Sequence, residues 1–552
     1  MKKSLNYIFT LVLCLSAYFW WAKGYDAFIS YHEQLQMFLC SSDYFFERIA
    51  LPGGLSDYIS EFIVSFFFYA PIGAGFIAAL LVLIQLLSWA LIKRQANTDL
   101  GFALSFVPAM FVWMALTNPN VLFSLPVSII GTLILCLCYR SDKGTISNGI
   151  VTVIVIPLCY WLFGTAVYLI PLYLILLAIA EKKYADAGLA CLYTILIVGF
   201  STRMLDYPVY RVLSGLNYYR YPTAIPVFSL FLPMVLAAVL PFMAKAMASI
   251  KLFSGRNEWK SLTAFCLIIC GACYGLVSTS VDPAMKEQIE YDYLVRGSQW
   301  NKIIDKANKK TPDTPLTVVC LNLALSQTGQ MPNRMFNYFQ NGIEGLFQPM
   351  LKDCFTPIPT AETFLKLGMV NEAQEYFFEA QEAIPNYRKS ARFTRRLVMT
   401  NLINGQYEVA AKYLRMLKKT LFYSAWAEDA EKLLNNEEAI DNHPIYGEAR
   451  RNTYTDDFLI SDREMDNMLG LLLVKNPRNK MAYEYLMSYI ILRRDLEHFY
   501  EYFQLGSKLG YKEAPQIYQD VHSFLEAQKL KDERMYNQYK NTPTWRYLLR
   551  QN

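Results

Sequence analysis

The sequence predicts an all-α protein with two parts: a polytopic transmembrane domain of about nine spans, then an extracytoplasmic domain of α-helical repeats. Two observations carry this prediction. The chain of 552 residues is 54% hydrophobic, and its long apolar runs lie in the first half. Of 52 basic and 47 acidic residues, 35 of each follow residue 280, which leaves 17 and 12 before it. We therefore expect a transmembrane domain at 1–280 and a second domain at 285–552.

The N-terminal run, MKKSLNYIFTLVLCLSAYFWWAKG, has a basic start and an apolar centre. This pattern fits either a cleaved signal peptide or an uncleaved first span. We favour the span because no A-x-A site follows the run. Trp20, Trp21 and Lys23 are also placed where interface anchors are expected.

Nine apolar runs approach the length needed to cross a hydrocarbon core of ~30 Å. They lie at about 6–22, 71–92, 100–117, 121–139, 149–163, 165–181, 187–201, 225–249 and 261–280. With the N-terminus inside, twelve of the 17 basic residues of this half fall in cytoplasmic connections and five fall outside. The predicted location is a bacterial inner membrane, with a multi-pass chain and a periplasmic C-terminal domain.

Two outer connections, 24–70 and 202–224, are long enough to be structured. In the first, LSDYISEFIVSFFFYA places apolar residues at helical spacing, and Asp57 and Glu61 share the opposite face. This pattern predicts an amphipathic helix lying in the membrane interface, with Pro71 turning the chain into the second span.

The C-terminal half contains repeated small and aromatic residues at helical spacing. LKLGMVNEAQEYFFEAQEAIP is similar to the second half of a tetratricopeptide repeat, through Gly368, Ala373, Phe377, Ala380 and Pro385. INGQYEVAAKYLRML repeats the pattern with Gly405, Ala410 and Leu414. Such repeats form either a concave surface for a partner protein or a helical stack that supports the membrane domain.

Several function classes lack their sequence signals. No Walker loop, G-x-G-x-x-G, G-x-S-x-G or H-E-x-x-H motif occurs. The four histidines stand at spacings that do not fit a zinc site, and no basic, aromatic-rich patch predicts nucleic-acid binding. A disulfide between Cys320 and Cys354 is left open.

Candidate chemistry lies on the predicted outer face. The stretch YHEQLQMFLCSSDYF holds His32, Glu33 and Asp43, and the second outer connection holds three arginines, Arg203, Arg211 and Arg220. Arginines bind a lipid phosphate well, and a carboxylate can accept a proton from an acceptor hydroxyl. The alternative is that Glu33 and Gln36 point to water while the arginines anchor to lipid head groups.

The order of a first span, an acidic outer loop, an interfacial helix ending at a proline and a helical extracytoplasmic domain resembles the C-type fold of lipid-linked-sugar glycosyltransferases. The phrases HEQLQMFL, SDYF and LPGGLSDYISEF also look like an uncharacterised family of bacterial polytopic membrane proteins. The first resemblance implies that Glu33 or Asp43 assists the acceptor or holds a divalent metal, and that Arg203, Arg211 or Arg220 binds the lipid phosphate. No paired D-D, D-x-D or E-D motif stands in the loop.

Two hypotheses follow from these patterns. The first is transfer of a sugar from a polyprenyl-phosphate carrier at the outer leaflet, which makes membrane lipid the partner. The second is a non-enzymatic envelope assembly protein that recruits partner proteins through its repeats. A transporter is disfavoured because few ionisable residues lie within the spans.

Overall fold

A computed structural model of the protein describes residues 2–139, 145–209, 212, 227–248, 258–385, 388–455, 464–511 and 513–549. The described residues form helices and loops without a β-strand, so the all-α prediction is confirmed. The chain forms two compact units. Unit 1 comprises Met1–Lys286 and two short later stretches, Pro385–Arg388 and Lys419–Phe422, and unit 2 comprises Glu287–Ile384, Lys389–Lys418 and Tyr423–Asn552.

Unit 1 contains most of the apolar helices. Its described α-helices are Lys2–Phe19, Asp26–Leu35, Ser42–Ile49, Gly54–Ser65, Ala70–Gln95, Asp99–Leu104, Phe106–Leu116, Ser124–Cys138, Thr145–Phe163, Leu169–Ala180, Tyr184–Met204, Val227–Ala248 and Glu258–Thr279. A π-helical turn, Trp20–Gly24, continues the first helix, and 3₁₀ turns lie at Phe66–Phe68 and Gly164–Tyr168.

Six described helices are long and apolar enough to cross a membrane, judged by length and composition. They are Ser4–Gly24, Ala70–Gln95, Asp99–Leu116, Tyr184–Met204, Leu230–Ala248 and Leu262–Thr279. The other three predicted spans correspond to shorter apolar helices, Ser124–Cys138, Gly149–Phe163 and Ala166–Ala180. These features are compatible with a membrane protein, and the count of nine spans stays a prediction.

The candidate spans hold polar groups inside and apolar groups outside. Gln85, in the middle of Ala70–Gln95, is fully buried and donates to the Ser105 hydroxyl at 2.8 Å, while the Thr10 hydroxyl lies 3.2 Å from its oxygen. On the outer side, Leu83 and Leu86 are 40% and 44% exposed. Water disfavours apolar exposure on this scale, whereas lipid accepts it, and buried amides that bond across helices are common in membrane bundles.

Helix Gly54–Ser65 also buries its polar side chains and exposes apolar ones. The periodicity of its apolar residues is as the sequence predicts, but the charged face points into the protein. Ser56, Ser60 and Glu61 have 0% exposure, whereas Ile59 and Phe62 are 36% and 41% exposed. The buried side of this helix therefore carries charge that other residues must neutralise.

Unit 2 is built from shorter helices with ordinary charged surfaces. Its described α-helices are Pro283–Arg296, which crosses the unit boundary, and Trp300–Lys309, Pro315–Gln327, Met331–Arg334, Ile358–Leu367, Val370–Glu382, Ala391–Ile403, Tyr407–Leu417, Ser424–Glu431, Glu437–Asn442, Tyr446–Asn452, Met465–Lys475, Lys480–Arg493, Phe499–Phe503, Gln516–Leu530, Glu533–Tyr539 and Pro543–Leu549.

Consecutive helices between residues 358 and 417 pack against their chain neighbours. The first connection is only two residues long, so the chain must fold back on itself. Gly368 makes this turn at φ +99°, where an added Cβ would lie 2.7 Å from Asn452 Cβ. Ala373, Phe377 and Ala380 of the repeat pattern are fully buried. The likeness to tetratricopeptide repeats stays a prediction.

Candidate functional site

The predicted catalytic residues do not share one environment. His32 and Glu33 lie on helix Asp26–Leu35, where they are 1% and 4% exposed. The His32 ring contacts the Phe123 ring edge-on, with centroids 5.0 Å apart. Burial lowers the pKa of His32 to about 4, so its imidazole is neutral at pH 7.

The alternative in which Glu33 and Gln36 point to water is wrong, because Gln36 is only 2% exposed. That interpretation assumed an amphipathic helix with one wet face. Instead Tyr31 and Leu35 are also buried, so the end of this helix is enclosed on all sides. Polar side chains in such a position must find partners within the protein.

Asp43 is exposed in the first turn of helix Ser42–Ile49, which Ser41 caps through the backbone N–H of Tyr44 at 3.4 Å. Arg203 is exposed in the last turn of helix Tyr184–Met204. Within the described ranges, no hydrogen bond or ion pair joins Arg203 to His32 or Asp43. Arg211 and Arg220 lie outside the described residues. The predicted phosphate-binding arginines therefore stay a prediction.

Unit 1 contains a buried group of charges that sequence reasoning did not identify, which we call the ion cluster: Tyr44, Arg48, Asp57, Glu61 and Arg388. The Arg388 guanidinium lies 2.8 Å from an Asp57 oxygen and 2.9 Å from a Glu61 oxygen. Arg48 Nε donates to the other Glu61 oxygen at 3.0 Å. Two cations thus face two anions.

The ion cluster is largely buried. The side chains of Arg388 and Glu61 are 2% and 0% exposed, and those of Asp57 and Arg48 are 16% and 14% exposed. Burial raises the pKa of Asp57 although Arg388 lies beside it, and burial with the neighbouring Glu61 raises the pKa of Tyr44. The Tyr44 hydroxyl contacts Glu61 and lies 3.0 Å from the Met37 carbonyl oxygen.

The sequence indicated that the two acids of the ion cluster share one face of a helix, but it gave no indication that Arg388 is their partner. Asp57 and Glu61 stand four residues apart on the predicted amphipathic helix, which is why they share a face. Arg388 is separated from them by more than 300 residues and follows the repeat pattern that ends at Pro385. No local periodicity links two such positions.

Unit 2 contains a cavity of about 750 Å³. Residues from several of its helices line this cavity, and eight of them are basic while three are acidic. The basic residues are Arg296, Lys366, Arg392, Arg395, Arg396, Arg451, Arg478 and Lys480, and the acidic residues are Glu362, Glu448 and Glu484. The cavity therefore carries a net positive charge.

Part of this charge is neutralised inside unit 2. Arg392 donates two hydrogen bonds to Asp292, at 2.6 and 2.9 Å, and Arg396 donates to Glu362 at 2.8 Å. Four other cations of the lining have no carboxylate within ion-pair distance among the residues that the structure describes: Lys366, Arg395, Arg451 and Arg478. All four are exposed.

Arg395 lies close to other positive charges. Its guanidinium lies over the Trp426 ring, 4.7 Å from the centroid. Desolvation and the positive charge of Arg396 lower the pKa of Arg395, with a further contribution from Arg296. An anion placed between these arginines would relieve their mutual repulsion.

The asparagines of the cavity wall are used structurally. The Asn476 amide donates to Asn452 at 2.7 Å, and Asn479 donates to the Leu367 carbonyl oxygen at 3.0 Å while capping helix Lys480–Arg493. These bonds hold the wall in place. Several charged side chains of the lining are not used in this way and can contact a ligand.

Glu484 adds a titratable group to the cavity. The Ser326 hydroxyl donates to it at 2.9 Å, and the Lys480 ammonium lies 3.8 Å away. Burial outweighs these contacts and raises the pKa of Glu484 to about 7. The net charge of the cavity therefore changes close to neutral pH.

No group of three or more His, Cys, Asp or Glu side chains in the described residues is arranged to hold a metal ion. The sequence left the pairing of Cys320 with Cys354 open, and in the structure neither residue is part of a disulfide; Cys320 is buried.

Comparison with known proteins gives one match. No curated protein and no solved structure matches the chain. The model of a family of unknown function, DUF6057, matches residues 1–546. The expectation of an uncharacterised family agrees with this match, and the chain belongs to the DUF6057 family.

Proposed function

We propose that the protein is an envelope assembly protein, held in a bacterial inner membrane by its apolar helices, whose periplasmic C-terminal domain binds an acidic segment of a partner protein. The observation that carries this proposal is the cavity of unit 2, with its eight basic and three acidic lining residues. The predicted tetratricopeptide-like arrangement agrees with a partner-binding role.

The positive charge of the cavity favours a negatively charged ligand. Lys366, Arg395, Arg451 and Arg478 are exposed cations without a carboxylate partner in the described part of the chain. Arginine donates in a fork geometry that fits carboxylate oxygens. A ligand with several carboxylates would replace the repulsion between these side chains by attraction.

The apolar lining selects the class of ligand. Leu323, Met399, Ile445 and Trp300 line the same cavity as the cations. An inorganic anion would leave this apolar surface unused, whereas a peptide with both acidic and apolar side chains would bury it. The volume of about 750 Å³ lies within the usual range for ligand cavities.

Fluorescence anisotropy tests the proposal with the full-length protein in nanodiscs. The probe is a fluorescein-labelled peptide of alternating Glu and Leu, and its charge control has Lys in place of Glu. We expect saturable binding of the Glu peptide that weakens as salt is added, because salt screens the contacts. Arg395→Glu should weaken binding about tenfold or more, which corresponds to 1.4 kcal/mol.

Arg415→Glu is the matched control, because Arg415 is exposed on helix Tyr407–Leu417 and does not line the cavity. It should change the affinity less than about twofold. Equal effects of the two variants, or equal binding of the Lys peptide, would refute the proposal. Stronger competition by an anionic polysaccharide than by unlabelled Glu peptide would overturn the assignment to a peptide.

Sugar transfer from a polyprenyl-phosphate carrier at the outer leaflet is the second candidate. The observation that favours it is Asp57, a carboxylic acid of the predicted first outer connection, whose pKa burial raises although two arginines lie nearby. Perturbed acids of this kind are common in active sites. Asp57→Asn and Glu33→Gln, compared at matched expression, should alter a surface glycan, and unchanged glycans in both would refute this candidate.

A further inference from the structure

The apolar face of helix Gly54–Ser65 is continuous with a candidate membrane span. Ile59 and Phe62 are exposed on the helix, and Phe68 and Tyr69 follow at 38% and 51% exposure. Ile72, in the first turn of Ala70–Gln95, is 46% exposed. A surface of this kind is stable in contact with lipid, and aromatic residues favour the interfacial layer.

A short stretch from much later in the chain extends this surface. In unit 1, the Phe422 ring is stacked on Phe68 with centroids 5.5 Å apart, and it contacts Phe66 and Tyr69 edge-on at 5.5 and 5.6 Å. The backbone N–H of Cys40 donates to the Lys419 carbonyl oxygen at 2.8 Å. These contacts fix the stretch Lys419–Phe422 beside the apolar face.

The side chains of this stretch have the pattern of an interfacial anchor. Thr420 is 8% exposed, whereas the Leu421 side chain between it and Phe422 is 39% exposed. Lys419 is exposed as well. An exposed leucine next to an aromatic cluster and a lysine is the combination by which peripheral segments bind lipid surfaces.

We propose that Lys419–Phe422 is a lipid-contacting segment, in which Leu421 enters the bilayer interface beside Phe68 and Tyr69 while the Lys419 ammonium stays at the head-group phosphates. The occupant of this surface is the bilayer itself, because Phe422 packs on Phe68 and Tyr69, which immediately precede the candidate span Ala70–Gln95 in the chain. This inference does not depend on the cavity of unit 2.

Site-specific photo-crosslinking tests it in the full chain. A diazirine amino acid replaces Leu421 in one variant, and the protein is placed in nanodiscs of phosphatidylethanolamine and phosphatidylglycerol. The positive control is the same substitution at Leu83, which is 40% exposed on Ala70–Gln95. The negative control is Val474, which is 73% exposed on helix Met465–Lys475 of unit 2.

We expect the Leu421 variant to give lipid adducts at a yield within about threefold of the Leu83 variant and at least about tenfold above the Val474 variant. A lipid yield at Leu421 no higher than at Val474 would overturn the proposal. So would a crosslink from Leu421 predominantly to a second copy of the chain. Because the substitution preserves an apolar side chain of similar size, the test does not require a destabilised protein.

Discussion

Replacing Arg388 by methionine removes one cation from the ion cluster and leaves Asp57 and Glu61 facing Arg48 alone. Methionine keeps most of the apolar stem of arginine, so the main change is in charge. Breaking a buried ion pair by removing one partner costs about 3–5 kcal/mol, because a charge is left in an environment without water. Arg388 is 2% exposed and contacts both carboxylates, so we expect a loss in this range.

The loss should depend on pH. Arg388 is the strongest influence that keeps Asp57 ionised, so Asp57 in the variant takes up a proton more readily. In the folded variant Asp57 therefore keeps its proton at pH values where the unfolded chain has already lost it. The free energy of unfolding of the variant then falls as pH rises. We expect the full 3–5 kcal/mol at pH 8 and a smaller loss at pH 5, since each unit of pKa difference is worth about 1.4 kcal/mol.

Pulse proteolysis of the full-length protein in detergent micelles, at increasing denaturant, measures the free energy of unfolding. The double variant Arg388→Met, Asp57→Asn removes one charge of each sign and should recover about half of the loss or more. Arg415→Met, at an exposed position, should change stability by less than about 0.5 kcal/mol. A loss below about 1 kcal/mol at pH 8, or strictly additive effects in the double variant, would refute the assignment of the cluster.

Three further predictions concern single side chains. Glu484→Gln should stabilise the protein by up to about 3 kcal/mol at pH 8 and little at pH 5. The pKa of Glu484 is raised to about 7, so ionisation of this acid at pH 8 destabilises the folded state of the wild type. Chemical unfolding at the two pH values checks this. Acidification from pH 7 to pH 4 should lower the free energy of unfolding of the wild type by up to about 3 kcal/mol more than that of His32→Gln. The reason is that the folded protein keeps the His32 imidazole neutral, whereas the unfolded chain protonates it. Melting curves of the two proteins measure this difference. Gly368→Ala should destabilise by about 1–3 kcal/mol, because φ is +99° and the new Cβ would meet Asn452, whereas Gly470→Ala has open space within a helix and should raise thermal stability slightly.

The helices could be predicted from sequence where a period or a long apolar run fixes them. Helix Gly54–Ser65 has its acids and its apolar residues on the opposite faces that the spacing indicates. The spacing could not show which face is buried. A helical period separates polar from apolar residues, but it does not show whether each face meets protein, water or lipid. An apolar face that turns outward is the reverse of the usual arrangement in a soluble protein and is compatible with contact with lipid.

The candidate sites were less predictable because they are assembled from distant parts of the chain. Glu33 and Gln36 stand three residues apart, a helical spacing that predicts one face exposed to water, yet packing on all sides buries both. The cavity of unit 2 is lined by arginines from several helices, among them Arg296, Arg395 and Arg478. In the sequence, each of these residues cannot be distinguished from an ordinary charged surface residue. Only the packing of the helices brings them to one cavity.

The ion cluster also has a consequence for the order of synthesis. Glu61 leaves the ribosome 327 residues before Arg388, since 388 − 61 = 327. At about 5–20 residues per second, this gap lasts roughly 15–65 s. Until Arg388 is made, Arg48 is the only cation of the ion cluster available to Asp57 and Glu61. A chain that stops short of Arg388 lacks the second cation of the ion cluster, so the charge of Asp57 and Glu61 stays unbalanced.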